Sequence, residues 1–214
     1  MVDIIFEDSS IIVCIKPAGI QSQGGNNDLV AMLDGYFKEK ESSAKAYPVH
    51  RLDKETAGVM VFAKNSKSAA ALSAQITRGE MRKHYFAVVQ GVPEEKSGVL
   101  KDLLFHDRQK NKTFTVKKSR KGVKEASLEY KTIGCSESFS LLDILLHTGR
   151  THQIRVQFAS RKMPLYGDGK YGGGSGKLAL FARKLEFLHP ITNEKLCFEA
   201  RPDAELYPWN LFDY

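Results

Sequence analysis

The sequence predicts an α+β fold built on a mixed, largely antiparallel β-sheet, and three observations lead there. Strand-like runs outnumber helical ones; in the second half they follow one another without intervening helices; and no unit of twenty or more residues repeats. A regular alternation of strands and helices would have indicated a parallel, doubly wound sheet instead.

In chain order, Ile11-Ile12-Val13-Cys14-Ile15 is a β-rich run closed by the turn-forming Lys16-Pro17-Ala18-Gly19. From Asp28 the apolar residues Leu29, Val30, Leu33, Tyr36 and Phe37 recur at helical spacing, with Asn27 or Asp28 as the N-cap. Charged Lys38 to Lys45 then reads as a loop. Val59-Met60-Val61-Phe62-Ala63 is a short buried strand, followed by an Ala-rich helix capped by Asn65 or Ser66 and ending near Thr77.

His84 to Val92, Ala126 to Ile133 and Phe139 to His147 are strands by their β-branched and aromatic content. Thr151 is placed to cap a helix whose Ile154 and Phe158 share a buried face. After the glycine-rich Gly167 to Lys177, strand-like chain resumes from Leu178 to Pro190 and closes in a hairpin around Asn193. The whole of 1–214 is expected to form one domain.

Composition narrows the function classes. The chain has 42% hydrophobic and 27% charged residues, which suits a folded globular body. Its apolar runs are far shorter than the roughly 20 residues of a membrane span. The acidic Val2-Asp3-Ile4-Ile5-Phe6-Glu7-Asp8 start lacks the features of a secretory leader, so a cytoplasmic location is expected. Cys14, Cys135 and Cys197 are far apart and form no Cys-x-x-Cys pair, so neither disulfides nor zinc are expected. Monomer is the default expectation.

The net charge of +7 favours polyanionic partners. Its distribution says more, because Arg108 to Lys124 carries eight basic residues and no acidic one. That stretch, with Lys117, Lys118, Arg120 and Lys121 at its centre, reads either as a solvated surface loop or as a phosphate-gripping arm.

Two nucleotide motifs fail on inspection. Gly167, Gly169 and Gly172 spell Gly-x-Gly-x-x-Gly, but Pro164 precedes them and further glycines follow, which is not a strand-to-helix turn. At Gly176-Lys177 the first glycine of a phosphate loop is replaced by Tyr171, and Leu178 stands where a Ser or Thr would hold magnesium. His147 and His152 lack a third ligand at metal-site spacing.

Two other segments concentrate chemistry. In His50-Arg51-Leu52-Asp53-Lys54-Glu55-Thr56-Ala57-Gly58, Asp53 stands where a loop becomes a strand, flanked by Arg51 and Lys54. Cationic neighbours would keep its carboxylate ionised for work as nucleophile or base; an Asp-turn with a surface ion pair is the alternative. In Thr148-Gly149-Arg150-Thr151-His152-Gln153-Ile154-Arg155-Val156, Arg150, His152, Gln153 and Arg155 gather at a helix start, which suits phosphate, a carboxylate or a structural ion-pair network.

Taken together, the segments at 50–58, 83–91 (Lys-His-Tyr-Phe-Ala-Val-Val-Gln-Gly), 148–156 and 167–172 (Gly-Asp-Gly-Lys-Tyr-Gly) resemble the RluA-like pseudouridine synthases in order and spacing. The likeness runs from the Ile11 strand to Leu188-His-Pro-Ile-Thr192. It implies that family's fold and an enzyme that isomerises uridine to pseudouridine in ribosomal or transfer RNA, without metal or organic cofactor.

By the same resemblance, Asp53 is the catalytic aspartate acting on the ribose of a flipped uridine. Arg155 matches the arginine that pairs with it, and Tyr85 the tyrosine that stacks on the uracil and helps remove its C5 proton. Arg51 matches a residue that fills the gap left by the flipped base. His50, Arg150 and His152 join the basic residues of the 108–124 segment as expected RNA contacts. The chain departs from the family pattern at Ala57, at Gln157 and at Arg161-Lys162-Met163-Pro164, where Ser, His and a glycine-containing turn are usual.

Overall fold

The computed structural model describes residues 2–214, which divide into two units. The first comprises residues up to Lys83 together with Ala182–Arg201; the second comprises His84–Phe181 and Pro202–Tyr214.

In the first unit, β1 (Asp3–Glu7), β2 (Ile11–Lys16), β4 (Ala57–Ala63) and β10 (Leu180–Leu188, within this unit from Ala182) lie side by side. β3 (Tyr47–Pro48) pairs with β4, and β11 (Lys195–Glu199) with β10. The centre is antiparallel, with Val13 opposite Val61 and Lys16 opposite Gly58. Ile11, Val13, Val59, Val61, Leu72, Leu185 and Phe187 form one core cluster. Ile12, Cys14, Met60 and Phe62, at the alternate positions, are buried too. A strand buried on both faces reads as a continuous apolar run, which is how β2 and β4 read in the sequence.

Both helices of this unit start where expected. Asp28 caps α1 (Leu29–Glu39) by accepting from the Ala31 N–H at 2.8 Å. Asn65 caps α2 (Ser66–Arg78) by accepting from Ser68 N–H at 2.9 Å, and left-handed Gly79 ends it. Gly58 has φ of +126°, and a Cβ there would collide with the Ala182 backbone, so only glycine lets these strands meet at the mouth of β4.

The second unit has its strands in the order β5 (Arg82–Gln90, within this unit from His84), β9 (Phe139–Leu146), β8 (Val123–Cys135), β6 (Ser97–Asp107) and β7 (Lys112–Val116). The β6–β7, β6–β8 and β8–β9 pairs are antiparallel. Within the basic 108–124 stretch, Lys112–Val116 is strand β7, while the turn before it and the link from it to β8, which carries Lys117, Lys118, Arg120 and Lys121, are loop. Strands β1, β6 and β7 were not anticipated; their charged, poorly alternating residues are held by cross-strand pairing that composition does not reveal.

The third helix, α3 (Gln153–Ala159), corrects another expectation. Its N-cap position is His152, in left-handed conformation at φ 53° and without a side-chain cap, not Thr151. Thr151 instead gives its carbonyl to the Thr113 hydroxyl of β7 at 2.8 Å. None of the described helices is long and apolar enough to cross a membrane.

Candidate active site

In the first unit, His50, Arg51 and Asp53 share the loop that leads into β4. Its backbone is pinned on both sides of Asp53. Ser22 makes a reciprocal pair with Leu52, its Oγ accepting from the Leu52 N–H at 3.0 Å and donating to the Leu52 carbonyl at 3.1 Å. The Lys54 carbonyl accepts from Gly19 N–H at 2.9 Å and from Lys16 Nζ at 3.0 Å. The Thr56 N–H donates to the carbonyl of Asp53 itself at 3.0 Å. Asp53 is half-buried, between exposed Arg51 and Lys54. Five hydrogen bonds to three consecutive residues leave that backbone little freedom.

His50 has a different setting from that of a surface phosphate contact. Its Nε2 accepts from the Val61 N–H of β4 at 3.2 Å. Burial, with Lys83 nearby, pushes the imidazole down to about 3, so the ring is neutral. The bare Nε2 puts the proton on Nδ1, which has no hydrogen-bond partner among the described residues. The ring thus braces the loop against β4.

In the second unit, Tyr85 is buried in β5 at 6% exposure. The Thr148–Arg155 turn is folded onto β8 by Gln153. Its Oε1 accepts from the Thr148 hydroxyl at 2.8 Å and from the Arg150 N–H at 3.1 Å, while its Nε2 donates to the Ser127 carbonyl at 3.1 Å. Of the four polar side chains expected to gather at the helix start, Arg150 and Gln153 turn to β8, whereas His152 and Arg155 meet at Tyr171. Arg150 Nε donates to the Glu125 carbonyl at 2.9 Å, and His152 Nδ1 lies 3.0 Å from the Tyr171 hydroxyl.

Arg155 turns inward beside the buried Ile154 and Phe158. Its Nε and Nη2 each donate to an oxygen of Asp168 at 2.7 Å, a two-pronged pair with side-chain exposures of 8% and 0%. Its guanidinium also lies over the Tyr171 ring, 5.3 Å from the centroid. The Tyr171 hydroxyl accepts from the Thr113 N–H of β7 at 2.8 Å, so the edge hairpin is tied to the residues around Arg155.

Asp168 was missed in the sequence, and the glycines around it explain both its place and the deceptive nucleotide motif. Gly167 N–H donates to the Gly173 carbonyl, and Gly173 N–H to that of Asp168, at 3.0 and 2.8 Å. A Cβ on Gly173 would run into the Leu165 carbonyl. The loop is thus a tight backbone knot that carries one carboxylate under Arg155. The sequence cues were an acid among glycines and the place of that acid in the 167–172 segment, neither of which pointed to Arg155.

Lys117, Lys118, Arg120 and Lys121 are all exposed in the link from β7 to β8. The Arg120 guanidinium lies over the Phe105 ring, 4.9 Å from its centroid. In the departures from the usual pattern, Gln157 Nε2 donates to Asp102 at 2.7 Å, and Lys162 takes the left-handed turn position at φ 63° that glycine ordinarily fills.

A family model described as RNA pseudouridylate synthase matches residues 10–160. An uncharacterised RNA pseudouridine synthase of Bacillus subtilis, YhcT, is 35% identical over 213 residues, covering 95% of this chain and 70% of that protein. Ribosomal large subunit pseudouridine synthase D of Xanthomonas campestris is 32% identical over 225 residues, covering 95% and 67%. Among solved structures, human RNA pseudouridylate synthase domain containing 4 superimposes with a TM-score of 0.80 at 24% identity, over 93% of this chain and 88% of that one. That last likeness establishes the fold.

Proposed function

The chain belongs to the RNA pseudouridylate synthase family and converts uridine to pseudouridine in RNA, and from that premise we propose that Asp53 is the residue acting on the ribose of the target uridine. The supporting observation is the setting of its carboxylate: half-buried, on a loop fixed immediately before and after it. The chemistry asks for little else. The N1–C1′ bond breaks, the detached uracil rotates, C5 bonds to C1′, and the proton lost from C5 is balanced by one gained at N1. No group is consumed, and no metal or organic cofactor is called for.

Tyr85 and Arg155 take the roles that the family resemblance gives them, the one as platform for the uracil and the other as the essential cation. A flipped base needs an aromatic face, and its RNA needs distributed positive charge. Arg51 is the candidate to occupy the space the base leaves. The exposed Lys117, Lys118, Arg120 and Lys121 are the first candidates for backbone contacts, with Arg150 nearer the turn; His50 and His152 act through the loops they brace. The substrate is ribosomal or transfer RNA, and the ribosomal large-subunit names of several relatives put ribosomal RNA first. The enzyme works in the cytoplasm as a monomer.

The test is Asp53→Asn, an isosteric change. Pseudouridine formation falls to background while unfolding stability and RNA affinity stay near those of the unmodified chain. Retained turnover would refute the assignment, and release of free uracil by the unmodified chain would point to a hydrolase. Mapping pseudouridine across cellular RNA in a strain lacking the protein then identifies the substrate by the site that vanishes.

A further inference from the structure

Lys16 ends β2 and is fully buried, which is rare for lysine. Its ammonium group has three N–H donors and makes three hydrogen bonds, to the carbonyls of Pro17 at 2.8 Å, Ile20 at 2.7 Å and Lys54 at 3.0 Å. Two of these acceptors belong to the turn after β2; the third is the residue that follows Asp53. One buried cation therefore clasps two loops together, and the Gly19 N–H adds a second bond to the same Lys54 carbonyl.

We propose that Lys16 is a positioning residue for the isomerisation: its protonated amine fixes the backbone beside Asp53 and places a positive charge close to that carboxylate. This rests on the reading of Asp53 as the reacting group. The match of donors to acceptors is what makes the charged form necessary, since a neutral amine has two N–H groups and would release one of the three carbonyls. A purely space-filling role would be served better by methionine, which carries no desolvation cost.

The charged groups that face Lys16 are the carboxylates of Asp53 and Glu55, both on the clasped loop. On β4 its partner in register is the uncharged Gly58, and on β1 the nearest charged residue is Asp3, opposite Ile15. Burial outweighs the two carboxylates and brings the amine down to about 8, so its proton is held at neutral pH and lost in mildly alkaline solution.

The experiment compares the unmodified chain, Lys16→Met and Asp53→Asn on one RNA substrate, with kcat and KM followed from about pH 7 to about pH 10, spanning the shifted and ordinary lysine ranges. The unmodified chain loses kcat with an alkaline limb near pH 8, with KM nearly constant. Lys16→Met unfolds cooperatively, binds the RNA normally, has kcat about 100-fold lower, the cost of a misplaced reacting group, and lacks that limb. A Lys16→Met protein with unmodified kcat, or one that keeps the same limb, overturns the proposal. Should Lys16→Met not fold, the unmodified chain decides. The Gly19 amide resonance, reporting on the shared Lys54 carbonyl, shifts with the same midpoint as kcat, and a rate flat across the range overturns the inference. Turnover by Asp53→Asn would defeat the reading of Asp53; an inactive Asp53→Asn beside an unimpaired Lys16→Met defeats the role of Lys16 alone.

Discussion

Replacing Asp168 by asparagine removes one charge from the buried Arg155 pair and changes almost nothing else in shape. Asp168 Oδ1 accepts from Arg155 Nη2 at 2.7 Å and from the Tyr171 N–H at 3.3 Å, and Oδ2 accepts from Arg155 Nε at 2.7 Å. An amide can serve one of these directions but presents N–H groups to a guanidinium along the other. The arginine keeps its charge in a site where its side chain is 8% exposed. Removing one partner of a buried ion pair costs about 3–5 kcal/mol, a large share of a stability of roughly 5–15 kcal/mol. With an m-value of about 2 kcal/mol per molar urea, the midpoint falls by about 1.5–2.5 M. Trp209, the single tryptophan, is buried in the same unit and reports the transition by fluorescence. Glu129→Gln provides the control, because the 2.9 Å pair of Glu129 and His147 in that unit is 52% and 39% exposed. Its loss should cost about 0.5 kcal/mol or less. If the two substitutions shift the midpoint equally, the Arg155–Asp168 pair does not carry the weight assigned to it.

Two further outcomes follow from the charges at the site. Changing Lys117, Lys118, Arg120 and Lys121 together to alanine weakens RNA binding and reduces the salt slope by about 0.7 for each phosphate no longer neutralised on single-stranded RNA; an unchanged slope returns this link to the status of a solvated surface. His50 sets an acid limit on stability. Its folded-state value lies near 3 against an ordinary 6.5, so between those values the unfolded chain takes up a proton that the folded chain refuses, and stability falls as pH falls. From pH 7 to pH 5 the unmodified chain loses about 2 kcal/mol through this group, whereas His50→Gln, which cannot titrate, is spared that loss; equal pH dependence by urea titration would show that His50 is solvated.

What could be read from the sequence, and what could not, divides by where each residue finds its partner. Asp28 and Asn65 bond to N–H groups three positions ahead, so their capping was visible in the local order. β2 and β4 were visible because burial on both faces leaves a continuous apolar run. Thr151 looked equally suited to capping, yet Gln153 draws its turn onto Ser127, twenty-six positions away, and the resulting left-handed His152 starts α3 without a cap. The β6–β7 hairpin read as loop for the same reason, because its strands are specified by pairing with β8 and by the hold of Tyr171 on Thr113, fifty-eight positions apart.

Asp168 and Lys16 are the sharper cases. One sat among glycines that mimic a nucleotide motif, the other in a Lys-Pro-Ala-Gly turn where a lysine ordinarily reaches into solvent. Each is a buried charge with one partner distant in sequence, the Lys54 carbonyl for Lys16 and Arg155 of α3 for Asp168, and hydropathy assigns both to the surface. The Asp53 and Arg155 motifs were recognisable because their residue order resembles a known family; the groups that hold those two residues in place lie outside the motif positions or were mute within them. Local sequence therefore indicates which side chains do chemistry more readily than which ones aim them. Lys16, bonded to the carbonyl of the residue after Asp53, and Asp168, paired with Arg155, are buried charges whose contacts only the folded chain assembles.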